Sequence, residues 1–285
     1  MLSNEVPGGI GRMPAGRYLR RAWPMVPAHA LRDAFKRRDV KINGARAGES
    51  DPVSAGDRIE LILPDRYLPA PVETVLDDGR LIACVKPQGL PVDVDADGIG
   101  ADTLLSRVRK LHPGAQLCHR LDAQTGGLVL AAADADTAAR AEETFKLHAI
   151  RKTYLAIAKG GFARREGVLN GYLIKNARDS RVSVIDHAAP GAKKIETRYR
   201  VVEDAGGLAR VELEPVTGRT HQLRAHMASI GRPLIGDDKY GDRELNRKCG
   251  GTLRLWCQSV RILNESPLEE YRGRTFACAA PEWWK

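Results

Sequence analysis

Apolar positions keep a helical period in a few short stretches of this chain and a strand period in many more. Within residues 28–38, Leu31, Ala34 and Phe35 recur at helical spacing, with Arg32, Lys36 and Arg37 on the other faces. Val40–Gly44 then alternates and ends in the hairpin pair Asn43-Gly44. Ser54–Asp57 predicts a turn into a strand over 58–63. Pro64, Pro69 and Pro71 crowd the next segment and predict an extended linker over 65–71. Beyond it, 81–86 reads as an apolar strand closed by Pro87. Leu104, Leu105, Val108 and Leu111 predict a helix over 103–111, stopped by His112-Pro113-Gly114. Residues 127–132 read as a buried strand, and Asp134 or Asp136 can cap a helix running toward Ala149. Strands follow at 152–158, at 197–202 and 208–213 as a hairpin, at 253–263 and at 275–279; 220–230 reads as a helix ended by Gly231. Strand pairs alternate irregularly with few helices, which predicts an α+β fold rather than a regular βαβ array. The expected division is a small α/β module over 10–64, the linker 65–71, and one large domain over 72–285 with a mixed, largely antiparallel sheet, flanking helices and a cleft.

Charge sharpens this picture. The chain carries a formal net charge of +9 over 285 residues. Residues 10–46 hold ten basic side chains against only Asp33 and Asp39, a local excess of eight that nearly equals the whole. A concentrated basic surface suits nucleic acid better than a merely basic enzyme does. No stretch approaches the roughly 18 apolar residues of a membrane span, and the N-terminus lacks the apolar core of a signal peptide, so a cytoplasmic monomer without a membrane partner is expected. The cysteines number five and none are spaced as C-x-x-C, which argues against a disulfide framework or a zinc site.

Asp39–Gly44 (DVKING) and Gly56–Leu61 (GDRIEL), behind a basic helix, resemble the small alpha-L RNA-binding domain of a ribosomal small-subunit protein. The resemblance implies RNA contacts from Arg32, Lys36, Arg37, Arg38 and Lys41.

The candidate chemistry lies further on. In His119–Gly127 (HRLDAQTGG), Asp122 stands where a polar loop meets the apolar strand, a rigid base with access to a cleft, as a nucleophile needs. Arg120, two residues earlier, points to the same side if the segment is extended. A lone loop aspartate would more often be an ordinary ion-pair partner. Here Lys86–Leu90 (KPQGL), His119–Gly127, Lys152–Tyr154 (KTY), Thr217–His226 (TGRTHQLRAH) and Gly236–Gly241 (GDDKYG) follow in order. Together these resemble the RluA-type pseudouridine synthases over residues 72–285. The resemblance implies an isomerase that turns specific uridines of a structured RNA into pseudouridine, with no cofactor and no metal. It implies Asp122 as the catalytic aspartate, acting by attack on the sugar, attack on the base or removal of a sugar proton. Tyr154 matches the tyrosine that packs on the base and can take the proton from the new carbon–carbon junction. Arg219 matches the arginine paired with the aspartate, and its helix over 220–230 would add amide dipoles that favour negative charge. Arg120 matches the residue that fills the gap when the nucleotide flips out, and His119 joins it on the RNA side. Large-subunit ribosomal RNA is the favoured substrate and transfer RNA the other. The alternative is a non-catalytic RNA-binding or ribosome-assembly protein on the same fold.

The chain departs from the family's pattern at three places. Thr125-Gly126-Gly127 stands for Thr-Ser-Gly, Leu255-Trp256-Cys257 for Leu-His-Ala, and Asp93 for a histidine. Asp93, Asp95 and Asp97 imitate the start of a calcium loop, but its twelfth position is Leu104 where a glutamate is needed. His221 and His226 are five apart and share no helical face as a zinc pair would, so His221 is expected to bond locally or line the cleft. A glycosidase would need a second carboxylate, and the pattern singles none out.

Overall fold

The computed structural model describes residues 1–176 and 181–285. The chain forms two compact units, residues 1–73 with 89–115, and residues 74–88 with 116–285. The first boundary falls close to the proline-rich segment, but 89–115, expected in the large domain, belongs to the first unit.

In the first unit, Leu2–Glu5, Arg58–Leu61, Val40–Ile42 and Ala45–Arg46 form an antiparallel sheet in that order. Asn43 (φ 51°) and Gly44 (φ 81°) both take the left-handed region that the two-residue hairpin requires. Two helices, Ala15–Ala22 and Ala28–Lys36, each follow an extended proline, Pro14 or Pro27. A proline there forfeits no helical hydrogen bond. Their inner faces bury Tyr18, Leu19, Leu31 and Ala34 against Val40, Val53, Ile59 and Leu61. Each large apolar side chain so buried stabilises the unit by about 1.5–3 kcal/mol. Ile99 packs into this same core, which is the physical reason 89–115 joins it. Hydrogen bonds agree, since the Asp102 amide donates to the Ala22 carbonyl at 2.9 Å. Arg107 binds buried Asp102 through two nitrogens and donates to the Ala70 carbonyl at 3.0 Å. The calcium-like run is an ordinary turn. Asp95 accepts from the amides of Asp97 and Ile99, and Arg21 pairs with both Asp95 and Asp97.

The second unit is built on a mixed sheet, in the order Arg181–Ile185, Glu166–Asn176, Lys193–Ala205, Leu208–Pro215, Ile150–Lys159, Leu255–Ile262, Gly126–Ala132, Leu81–Lys86 and Glu73–Asp77. Gly126–Ala132 is buried along its whole length. It runs parallel to Leu255–Ile262 and antiparallel to Leu81–Lys86. A strand covered on both faces reads as a continuous apolar run, which is why it stands out in the sequence. The hairpin Glu166–Asn176 with Arg181–Ile185 does not, because Gly167, Asn170 and Gly171 interrupt its alternation. Helix Ala135–Lys146 is capped by Asp134, whose Oδ1 accepts from the Thr137 amide at 2.8 Å. Helix Gln222–Ser229 begins two residues later than its pattern suggests. The fold is α+β. No helix among the described residues is long and apolar enough to cross a membrane.

Candidate active site

Asp122 lies in the loop leading into the central strand Gly126–Ala132, and a turn in which the Thr125 amide donates to the Asp122 carbonyl (3.0 Å) fixes its backbone. Its side chain keeps 26% exposure, enough to meet a ligand from a largely buried base. Below the loop, fully buried Lys86 ends the strand Leu81–Lys86. Its Nζ donates to the carbonyls of Ala123 (2.9 Å) and Pro87 (3.1 Å). Burial draws the Lys86 pKa down to about 7, against the opposing pull of the Asp122 charge. The lysine therefore braces the Asp122 loop from beneath, a part that the sequence offers only as the first letter of a motif.

The ion-pair partner of Asp122 is Arg224, not the expected Arg219. Arg224 Nη1 lies 3.1 Å from Asp122 Oδ2. The rest of its guanidinium is saturated, with Nε and Nη2 bidentate to Asp237 (2.8 and 2.7 Å) and Nη2 also 2.8 Å from Asp238. Arg224 is 4% exposed and the Asp237 side chain 0%. Burial alone would lower the Arg224 pKa, but Asp237 and Asp122 outweigh it and the net shift is upward. Burial likewise would raise Asp237, yet the guanidinium and the amides of Tyr240 and Lys239 hold it below the usual carboxylate range. Arg219 is exposed, and its amide donates to Gln222 Oε1 at 3.1 Å. The physical reason lies in the helix start. Gln222 Nε2 donates to the Glu196 carbonyl and to Thr197 Oγ1. This seats the helix with residues 222–227 buried, so Arg224 points inward while Arg219 stays on the turn before it.

His119 is a second correction. Expected on the RNA side, it is instead buried, and its Nε2 accepts from the Leu130 amide at 3.1 Å. Burial holds its pKa down at about 3, so the ring is neutral and anchors the loop to the central strand. Arg120 beside it is exposed. Tyr154 is buried on Ile150–Lys159, where a register shift against Leu255–Ile262 falls between Thr153 and Tyr154. Such bulges re-aim a side chain next to active sites. Tyr154 stands across from Cys257 on the neighbouring strand and lies within electrostatic reach of Asp122. Burial raises the Tyr154 pKa well above 10, which favours a packing role over that of a ready base. His221 completes the cluster, with Nε2 3.7 Å from Asp122 Oδ2.

The family model described as RNA pseudouridylate synthase matches residues 80–229, which include Asp122, Tyr154 and Arg224. The chain belongs to the RNA pseudouridylate synthase family. Members of this family are isomerases acting on RNA uridines. Among curated relatives, the Vibrio cholerae ribosomal large subunit pseudouridine synthase C is 29% identical over 273 residues, covering 89% of this chain and 85% of that one. The Rickettsia conorii protein of the same name is 28% identical over 250 residues, covering 80% and 82%. Among solved structures, human RNA pseudouridylate synthase domain containing 1 shares the fold at a TM-score of 0.61 and 24% identity, covering 75% of this chain and 86% of that one.

For this synthase, two departures from the family's pattern prove to be one feature. Gly126 and Trp256 are direct partners across the parallel strand pair. A Cβ built on Gly126 would run into the Trp256 ring. Gly126→Ser is therefore expected to cost about 1–3 kcal/mol through overpacking, read as a lowered melting temperature. Adding Trp256→His should restore most of it; a double variant no more stable than the single one would show that the two sites are independent.

Proposed function

We propose that this protein isomerises uridine to pseudouridine in large-subunit ribosomal RNA. The observation that carries the reading is the partly exposed Asp122 carboxylate held by buried Arg224 beside Tyr154. In the reaction the bond between the ribose carbon and uracil N1 breaks, a new bond forms to C5, the C5 proton leaves and N1 gains one. Asp122 supplies the carboxylate that opens the glycosidic bond, by attack on sugar or base or by removal of a sugar proton. Arg224 pairs with that carboxylate and aims it, and Tyr154 offers the freed uracil a ring to pack on. Exposed Arg120 is suited to fill the stack when the nucleotide is extruded, a step costing a few kcal/mol. The names of the curated relatives support ribosomal over transfer RNA. The test is tritium release from RNA labelled at uridine C5. Release from large-subunit ribosomal RNA supports the reading; release from transfer RNA alone reassigns the substrate.

The first unit is the proposed RNA-binding module. Arg32, Lys36, Arg37 and Arg38 are exposed on or just after the helix Ala28–Lys36, with Arg37 paired to Asp39 at 2.8 Å. Half-buried Lys41 is 3.9 Å from Glu60. Because Ile99 packs into this unit's core, deleting the N-terminal residues would damage structure as well as charge. Alanines at Arg32, Lys36, Arg37 and Arg38 are the cleaner probe. RNA affinity should fall, and the slope of log K against log salt should flatten by about 0.7–0.9 for each phosphate that is no longer neutralised. An unchanged slope would move the RNA footprint off this helix.

A further inference from the structure

His221 has a backbone that most side chains avoid. Its φ is +56° immediately before the helix Gln222–Ser229, and such a conformation persists only where the surroundings hold it. A chain of hydrogen bonds does so. The Val182 amide donates to the Tyr240 hydroxyl oxygen at 2.9 Å. That hydroxyl lies 3.0 Å from His221 Nδ1, and the two rings meet edge-on. The Tyr240 hydroxyl proton needs an acceptor, and Nδ1 is the acceptor in reach among the described residues. A neutral imidazole that accepts at Nδ1 carries its own proton on Nε2.

Nε2 points at Asp122 Oδ2 over 3.7 Å, and Arg224 Nη1 meets that same oxygen at 3.1 Å. Both donors therefore converge on Oδ2, and no donor among the described residues takes Oδ1. The charged and titratable groups facing His221 are Asp122, Arg224, Lys239, Asp237 and Tyr240. Burial lowers its pKa foremost, Arg224 and Lys239 push the same way, and Asp122 and Asp237 oppose.

We propose that His221 is a positioning residue for Asp122: tethered through Nδ1 by Tyr240, it aims an Nε2–H donor at Oδ2 and leaves Oδ1 as the oxygen that meets the uridine. This rests on the isomerase reading above. The present separation is longer than a hydrogen bond, and contacts of this kind tighten when substrate binds.

Two measurements test it. Long-range proton–nitrogen spectra at pH 7 should show one histidine as the Nε2–H tautomer, absent in His221→Gln and shifted toward a tautomer mixture in Tyr240→Phe. Single-turnover tritium release should fall roughly 10- to 100-fold in His221→Leu, the scale on which misplacing a reacting group costs. His221→Gln, which returns an N–H near the Nε2 position, should recover part of the rate, and RNA affinity should match wild type in both. An Nδ1–H tautomer or an imidazolium at pH 7, or a wild-type rate in His221→Leu, would overturn the assignment of His221 alone. A wild-type protein that releases no tritium from any RNA would overturn the isomerase reading and with it the commitment of Oδ1.

Discussion

Replacing Asp122 with asparagine is expected to lower single-turnover tritium release by about 10⁴-fold or more while leaving the fold and RNA affinity in place. That magnitude is the scale for losing an essential nucleophile or base. The substitution separates chemistry from structure because of how Arg224 is held. Asparagine still offers an oxygen to Nη1, and the guanidinium keeps both nitrogens on Asp237 and one on Asp238. The guanidinium is not stranded, so any fall in melting temperature traces to buried Lys86, which loses the Asp122 charge that opposes the effect of its burial. Lys86 still braces the loop through the Ala123 carbonyl in that variant. The measurement is single-turnover release beside equilibrium binding of the same RNA. Activity within tenfold of wild type would show that the carboxylate does not do the chemistry and would favour a binding protein on this fold.

What can be read from the sequence follows from which interactions are local. The central strand Gly126–Ala132 is apolar throughout because both faces are covered, and a one-dimensional pattern captures that. The hairpin turn at Asn43-Gly44 is likewise local chemistry. Asp122 is legible because its motif places a carboxylate at a strand entrance, and Tyr154 because its motif lies at the start of a strand. The arginine is misassigned for a non-local reason. Arg219 and Arg224 sit in one motif, five residues apart, and only the seating of the helix by Gln222 on Thr197 decides which one turns inward. A signal exists, because an arginine flanked by Leu223 and Ala225 within a helical run must either break the apolar face or meet a buried partner. Asp237, thirteen residues on, supplies that partner, and nothing in the spacing announces it. His119 shows the opposite failure. It stands next to exposed Arg120 in sequence, in a bend beyond the strand Gln116–Leu117, where no periodicity tells which of the two turns inward. The membership of 89–115 in the first unit depends on Ile99 reaching a core built from residues far upstream, which no local pattern encodes.

The exchange of roles between the two arginines yields the second large effect. Arg224→Leu should abolish turnover and also destabilise the second unit by about 3–5 kcal/mol, the cost of stranding a buried charge. For a unit of this size that is a fall of roughly 10 °C in melting temperature. The stranded group is Asp237, whose side chain has no exposure. The pH dependence should change sign with it. In wild type, Asp237 has a pKa below its unfolded value of 3.8, so its contribution is present above that value and is lost as pH falls through the lower folded pKa. Without the guanidinium, burial raises the pKa above the unfolded value. Ionised Asp237 then weakens the fold at neutral pH, and acidification toward the raised pKa should recover stability in the variant. Arg224→Lys should rescue little, because a point charge cannot reproduce contacts to three carboxylates made by a planar fork. Arg219→Ala, on an exposed turn, should change stability by no more than about 0.5 kcal/mol. It should affect RNA affinity rather than the single-turnover rate. Thermal melts at pH 5 and pH 7 beside single-turnover assays of the three variants decide the matter. If Arg219→Ala lost the chemistry and Arg224→Leu kept it, the ion pair that orients Asp122 during turnover would belong to Arg219, and the helix would have to reseat when RNA binds.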